Sequence, residues 1–344
     1  MKTGSRKPNL LIGRTNRPHR GPKKLTLTNK ARLTTFLKEH YTLFGVLLGS
    51  MLVSISLGPY SNWDSQTEFA AASSVVHLGL PYATPGNLIN QPPIGFYIDA
   101  VFLRAFGLSY TTGVAVITLF GVGCVFLLYK LGETLYGERT GLLAAGIFAL
   151  TPWHVVLSRS FLIDTQCLFF SLLSLLVGIW AIRKASLKLT LASGILFGVA
   201  LLTKLFAIFT LIPMAVMFAY YGLKSLKRGI SQIMLFALPS FFMHYSWYEV
   251  ISRLGFFSIL THTDFLSFSQ RVTPSPFFLI RFFIDSPGLL FLLATIISFS
   301  LSLWIREHST RIVFFDFVCL ATIIGTASMN MLLVLKPWFV GALR

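Results

Sequence analysis

Nine apolar runs constrain this chain more than any other feature. They fall near residues 41–58, 112–129, 141–157, 165–182, 189–203, 205–221, 230–247, 287–305 and 312–335. Most approach the ~18 to 20 apolar residues a helix needs to cross a bilayer. In lipid a helix satisfies its own backbone polar groups, whereas an open sheet does not. The pattern therefore predicts an all-α polytopic membrane protein: a transmembrane helix bundle of about nine spans. Composition agrees, with 12% charged residues and a mean hydropathy of +0.72, against about 25% charged in soluble domains.

The +17 net charge is unevenly placed. Residues 1–40 hold 11 of the 29 Lys and Arg and a single acid, Glu39. This segment reads as a disordered basic cytoplasmic tail that sets topology and is drawn to anionic membrane lipid rather than to nucleic acid. It is too long for the basic region of a cleaved signal peptide. Further basic clusters lie at Lys130–Arg139, Arg183–Lys188, Lys224–Arg228 and Arg306–Arg311. With these on the tail's side, the chain divides into the tail and a membrane domain over 41–344, with the N-terminus cytoplasmic. Its large external loops are 59–111 and 248–286, with shorter external turns at 158–164 and at Lys204. The apolar stretch 94–107 is short for a span and would invert every later loop if it crossed. It is expected to lie on the outer face as an interfacial helix, as is 65–78.

This arrangement places Asp64, Glu68, Asp99, Asp164, Glu249, Asp264 and Asp285 outside. Acids beside apolar segments are costly and suggest function. No P-loop or dinucleotide glycine pattern follows a strand in the sequence. Cys124, Cys167 and Cys319 sit inside apolar runs as small core residues. External chemistry has no access to ATP or nucleotide sugars.

Five segments occur in a telling order. They are Trp63-Asp64; Gln91-Pro92-Pro93-Ile94-Gly95-Phe96-Tyr97; Leu135-Tyr136-Gly137-Glu138-Arg139-Thr140-Gly141; Thr151-Pro152-Trp153-His154 leading to Arg159 and Asp164; and Gly194 to Lys204, which reads Gly-x-x-x-Gly-x-x-x-Leu-Thr-Lys. Together, over about 60–215, they resemble the GT-C polytopic glycosyltransferases that use polyprenyl-phosphate sugars. The likeness is to the dolichyl-phosphate-mannose protein mannosyltransferases and the aminoarabinose transferases of lipid A. It departs from that family at Ser65, where many relatives carry Glu, and at Gln91, where they carry a basic residue.

The resemblance implies transfer of a sugar from a polyprenyl-phosphate carrier to an acceptor hydroxyl on a protein, glycan or lipid, at the extracytoplasmic face. It gives Asp64 the role of general base, a task suited to a carboxylate beside the reacting hydroxyl. Glu68 and Asp164 are the other candidate catalytic acids. A phosphate leaving group needs nearby cations; Arg159, Lys204 and Lys336 are the candidates, with Gln91 in the place of a further contact. Carboxylates of this kind are able to hold Mg or Mn, but nothing in the sequence demands a metal, and metal-independent transfer is the expectation. Blander roles stand beside these. Ser65-x-x-Glu68 has the form of a capping box, Asp164 is spaced to pair with Arg159, and Gly194/Gly198 suits plain helix packing. The rival class is a polytopic transporter or lipid flippase.

Overall fold

The computed structural model describes residues 29–89, 91–211, 213, 214, 217, 218 and 226–254, with side chains from residue 41 onward except at 226–228. The runs at 287–305 and 312–335, Cys319, Lys336 and most of loop 248–286 lie outside the described residues. The chain divides after Tyr41, and the unit that begins at Thr42 carries everything below.

That unit is almost wholly helical. In chain order, α1 (Asn29–Ser56), of which Thr42–Ser56 belongs to this unit, is followed by α2 (Trp63–Leu78), a small hairpin of β1 (Tyr82–Thr84) and β2 (Asn87–Leu88), α3 (Ile94–Phe106), α4 (Tyr110–Tyr136), α5 (Glu138–Leu150) and α6 (Pro152–Ser158). Then come α7 (Asp164–Arg183), α8 (Leu187–Thr203), a 3-10 turn (Leu205–Thr210) and α9 (Leu226–Arg253). Among the described residues, α4 and α7 are long and apolar enough to cross a membrane, and α5 with α6 makes a third crossing if that bent pair counts as one. These account for two or three of the nine expected spans.

Three differences from the expected elements stand out, two of them with local causes. The run 141–157 is not one straight helix: it breaks at Thr151 and bends by 67° between α5 and α6. Pro152 has no N–H for the ladder and sits where helices start. The run 205–221 opens as the 3-10 turn, because Lys204 is extended at φ −156°, ψ 138°. Helix α9 continues past residue 247 to Arg253.

The helices pack through two main apolar clusters. One joins α4, α7, α8 and α9 through Leu127, Leu176, Phe197, Met214, Phe218 and Phe236. Gly194 and Gly198 let α8 close on α9: a Cβ at Gly194 would lie 2.4 Å from the Phe236 carbonyl oxygen, and one at Gly198 would lie 2.7 Å from Met243 Sδ. That spacing is helix packing. The other cluster seats α2 and α3 against the start of α4 and the 159–163 turn, through Ala71, Ala72, Phe96, Leu103, Phe161 and Ile163. This cluster positions the candidate site. The two helices anticipated in the first loop are both present. The thirteen-residue α3 buries Phe96, Asp99, Ala100 and Leu103 on one face.

Candidate functional site

Helix α2 starts at a cap built by Asn62 and Ser65. Asn62 Oδ1 accepts the Ser65 N–H at 2.8 Å, and Ser65 Oγ accepts the Asn62 N–H at 2.9 Å. Two backbone donors of the first turn are thus satisfied reciprocally. The Tyr110 hydroxyl lies 2.7 Å from the Tyr60 carbonyl oxygen and 2.9 Å from Ser65 Oγ, which ties the cap to α4. This cap displaces the anticipated Ser65–Glu68 box. It leaves Asp64 exposed on the first turn and turns Glu68, one helical turn later, into the protein.

Glu68 is 2% exposed and is held from three directions. Its Oε2 accepts the Ile163 N–H at 2.8 Å. Its Oε1 accepts Gln91 Nε2 at 3.1 Å and lies 3.7 Å from Lys204 Nζ. Lys204 Nζ in turn donates to Asp164 Oδ2 at 2.5 Å. Glu68, Gln91, Asp164 and Lys204, distant in sequence, therefore meet as one network. Asp164 pairs with Lys204, not with Arg159 as its spacing suggested.

Arg159 serves the adjoining turn. Its guanidinium donates to the Leu57 carbonyl at 3.0 Å and the Gly58 carbonyl at 3.2 Å, and it lies 5.4 Å over the Tyr60 ring. The Tyr60 N–H returns a bond to the Arg159 carbonyl at 2.8 Å. Arg159 thus clasps the link between α1 and α2 to the end of α6.

The electrostatics follow from burial. Desolvation pushes the Glu68 carboxyl up from 4.5 to about 7, with Lys204 pulling it down and Asp164 pushing it up. For Lys204, burial pulls the ammonium down, but the Asp164 and Glu68 carboxylates outweigh it and hold the group above its ordinary value. A carboxyl poised near neutrality beside a fixed cation is the kind of group active sites assemble.

Asp99, one of the acids expected on the outer side, takes a structural place. It is fully buried in α3 and its Oδ1 accepts Gln166 Nε2 at 2.5 Å. Burial raises its carboxyl well above the usual range; the Gln166 hydrogen bond opposes this and the Glu68 charge adds to it. The pair pins α3 to the first turn of α7, the turn that carries Asp164. Gly95 makes room for it, since a Cβ there would lie 3.0 Å from Gln166 Oε1. The one signal in sequence is an acid four residues after Gly95 within an apolar helix.

A cleft of about 240 Å³ opens between α2 and the hairpin. Trp63, Asp64, Thr67 and Glu68 line one side, and Ala83, Leu88, Ile89 and Gln91 the other. Pro85 and Gly86, the latter at φ 79°, close the hairpin tightly, as a turn with positive φ at its third residue requires. The acids do not fit a divalent ion well. Glu68's oxygens are taken by donors, and the Lys204 ammonium sits beside both buried-side carboxylates. Among the described residues, no group of three or more His, Cys, Asp or Glu could hold a metal.

Comparison with known proteins finds likenesses over part of the chain. Residues 90–247 match the family model described as dolichyl-phosphate-mannose-protein mannosyltransferase. Two Bacillus subtilis (strain 168) proteins named as mannosyltransferases are similar: YycA, 31% identical over 43% of this chain and 22% of its own, and YkcB, 28% identical over 50% of this chain and 26% of its own. The chain thus spans about a quarter of the length of the curated relatives it matches. Among solved structures, the oligosaccharyltransferase AglB of Archaeoglobus fulgidus, in complex with an inhibitory peptide and a dolichol-phosphate, superposes with a TM-score of 0.49. It is 13% identical over 89% of this chain and 51% of its own. Over residues 90–247 the chain is thus similar to the family described as dolichyl-phosphate-mannose-protein mannosyltransferase.

Proposed function

We propose that this chain is an integral membrane glycosyltransferase. It moves a sugar, mannose or a similar hexose or pentose, from a polyprenyl-phosphate carrier to an acceptor hydroxyl at the extracytoplasmic face. The observation that carries this reading is one chain of contacts. An exposed acid, Asp64, stands at the mouth of a cleft whose buried acid, Glu68, is linked through Lys204 to Asp164.

In this reading Asp64 takes the proton of the acceptor hydroxyl. The hydroxyl oxygen attacks the anomeric carbon from the side opposite the phosphate. The bond from that carbon to the phosphate oxygen breaks, its electron pair leaves with the phosphate, and the linkage inverts. Lys204 stabilises the growing phosphate charge. Glu68 and Asp164 hold the ammonium in place, and Gln91 holds Glu68. Arg159 contributes by fixing the turn that presents Asp64. Lys336, outside the described residues, would be a further phosphate cation. No step requires a metal.

The test is transfer of radiolabelled mannose from polyprenyl-phosphate-mannose by the full chain in lipid nanodiscs, with protein, glycan and lipid acceptors compared. Labelled product is expected. Folded protein that yields none, with hexose and pentose donors both tried, overturns the reading.

A further inference from the structure

The cleft in front of Glu68 has a composition that the transfer chemistry alone does not explain. Trp63 lies on its rim, 79% exposed. An indole face there costs solvation and contributes nothing to the core. Thr67, one turn along α2, also lines the cleft, with its hydroxyl already donated to the Trp63 carbonyl at 2.9 Å, so its oxygen is left to accept. On the far side, Gln91 Oε1 is buried without a hydrogen-bond partner in the structure. None of the described lining residues is Lys or Arg. The volume, about 240 Å³, lies below the roughly 300–1,000 Å³ of pockets that take drug-sized ligands.

Each feature narrows the occupant. The size suits a single small ring rather than an extended chain. A wall without cations does not favour a phosphorylated or carboxylated group beside Asp64. Acceptor oxygens on Asp64 and Thr67 call for a ligand with hydroxyl donors. An exposed aromatic face beside them calls for a ligand with one apolar face. A neutral pyranose meets all four demands, with C–H bonds on one face and hydroxyls around its edge. An interfacial anchor, the usual role of Trp at a membrane surface, would explain the exposure of Trp63 but not the acceptor oxygens beside it in a wall without cations.

We infer that this cleft is a seat for one neutral pyranose ring, stacked on Trp63 and hydrogen-bonded at its edge by Asp64 and Thr67. This deepens the transferase reading and rests on it for the ring's identity as substrate. The ring belongs either to the acceptor glycan or to the donor sugar, and both present the same chemistry.

The experiment measures binding of methyl α-mannopyranoside to the full chain in nanodiscs by saturation-transfer NMR, with no donor present, for wild type, Trp63→Leu, Trp63→Phe and Thr67→Val. The kinetics of mannosyl transfer are then measured for the same set. Leu keeps an apolar side chain at the membrane surface but loses the ring face. An aromatic contact worth about 0.5–1.5 kcal/mol beyond area burial corresponds to about 2- to 12-fold. Trp63→Leu should weaken mannoside binding by that factor, Thr67→Val should weaken it too, and Trp63→Phe should retain most of it. Either the acceptor KM or the donor KM should rise with little change in kcat, and which one rises identifies the owner of the ring. Wild-type mannoside binding in both Trp63→Leu and Thr67→Val overturns the seat and leaves Trp63 as an anchor. Because binding is read without donor, the seat stands or falls separately from the assignment of Asp64 as base.

Discussion

Lys204, at the end of α8, lies 2.5 Å from Asp164 at the start of α7 and 3.7 Å from Glu68 in α2. One ammonium thus joins α2 to α7 and α8. Removing it leaves Glu68 facing Asp164 with no cation between them. Breaking a largely buried pair by deleting one partner costs about 3 kcal/mol. Lys204→Met is expected to destabilise the fold by that order, seen as a lower thermal midpoint, and to abolish transfer. Lys204→Met combined with Asp164→Asn should recover much of the stability and none of the activity. Melting curves and transfer assays on the two variants check this; restored transfer in the double variant would show that Lys204 is only structural.

Glu68 carries a pH signature. Its carboxyl titrates near 7 in the folded chain against about 4.5 when unfolded, so the folded state binds the extra proton between those values. Its contribution to stability is full below about pH 4.5 and is lost as pH rises through about 7. Glu68→Gln cannot titrate, so its thermal midpoint should depend less on pH between 5 and 7.5 than that of wild type. Parallel slopes for the two proteins would contradict the shift.

Donor binding should follow the same proton. With Glu68 ionised, the group of Glu68, Asp164 and Lys204 carries one net negative charge; with Glu68 protonated it is neutral. An anionic lipid phosphate favours the neutral state. The donor KM is expected to rise as pH climbs through 7 in wild type and to stay flat in Glu68→Gln, as steady-state kinetics from pH 6 to 8 would show.

Arg159 holds the Leu57–Tyr60 turn by two charged hydrogen bonds. Hydrogen bonds to charged groups are worth about 1.5–3 kcal/mol each, less where solvent reaches them. Arg159→Ala should raise amide exchange across residues 57–65 and lower kcat with the bundle intact. Unchanged exchange there would remove the clasp.

Much of this was legible in sequence because it is periodic or local. The apolar runs mark helices of the bundle, and 65–78 and 94–107 have the length of the two short helices observed, the second with a clear apolar face. Most of what the sequence hides is non-local. The Glu68 carboxylate is claimed by the backbone of Ile163, which folds over it from the end of α6, so no window around Ser65 reveals its burial. Asp164 lies five residues after Arg159, but the turn between them points Arg159 toward α1 and Asp164 toward Lys204. Asp99 is disguised by its apolar helix, since its partner Gln166 comes from α7. The break at Pro152 was readable from the missing N–H and was masked by the continuity of the apolar run.

The most direct test of the account is the single-turnover rate of mannosyl transfer by wild type beside Asp64→Asn, at saturating donor and acceptor. The substitution keeps the size of an exposed side chain outside the Glu68–Lys204 network, so folding should be unchanged by circular dichroism and thermal melting. A lost general base predicts a rate lower by about 10²- to 10⁴-fold, with donor binding retained. A folded Asp64→Asn protein that transfers at the wild-type rate would contradict the assignment of Asp64 as the base.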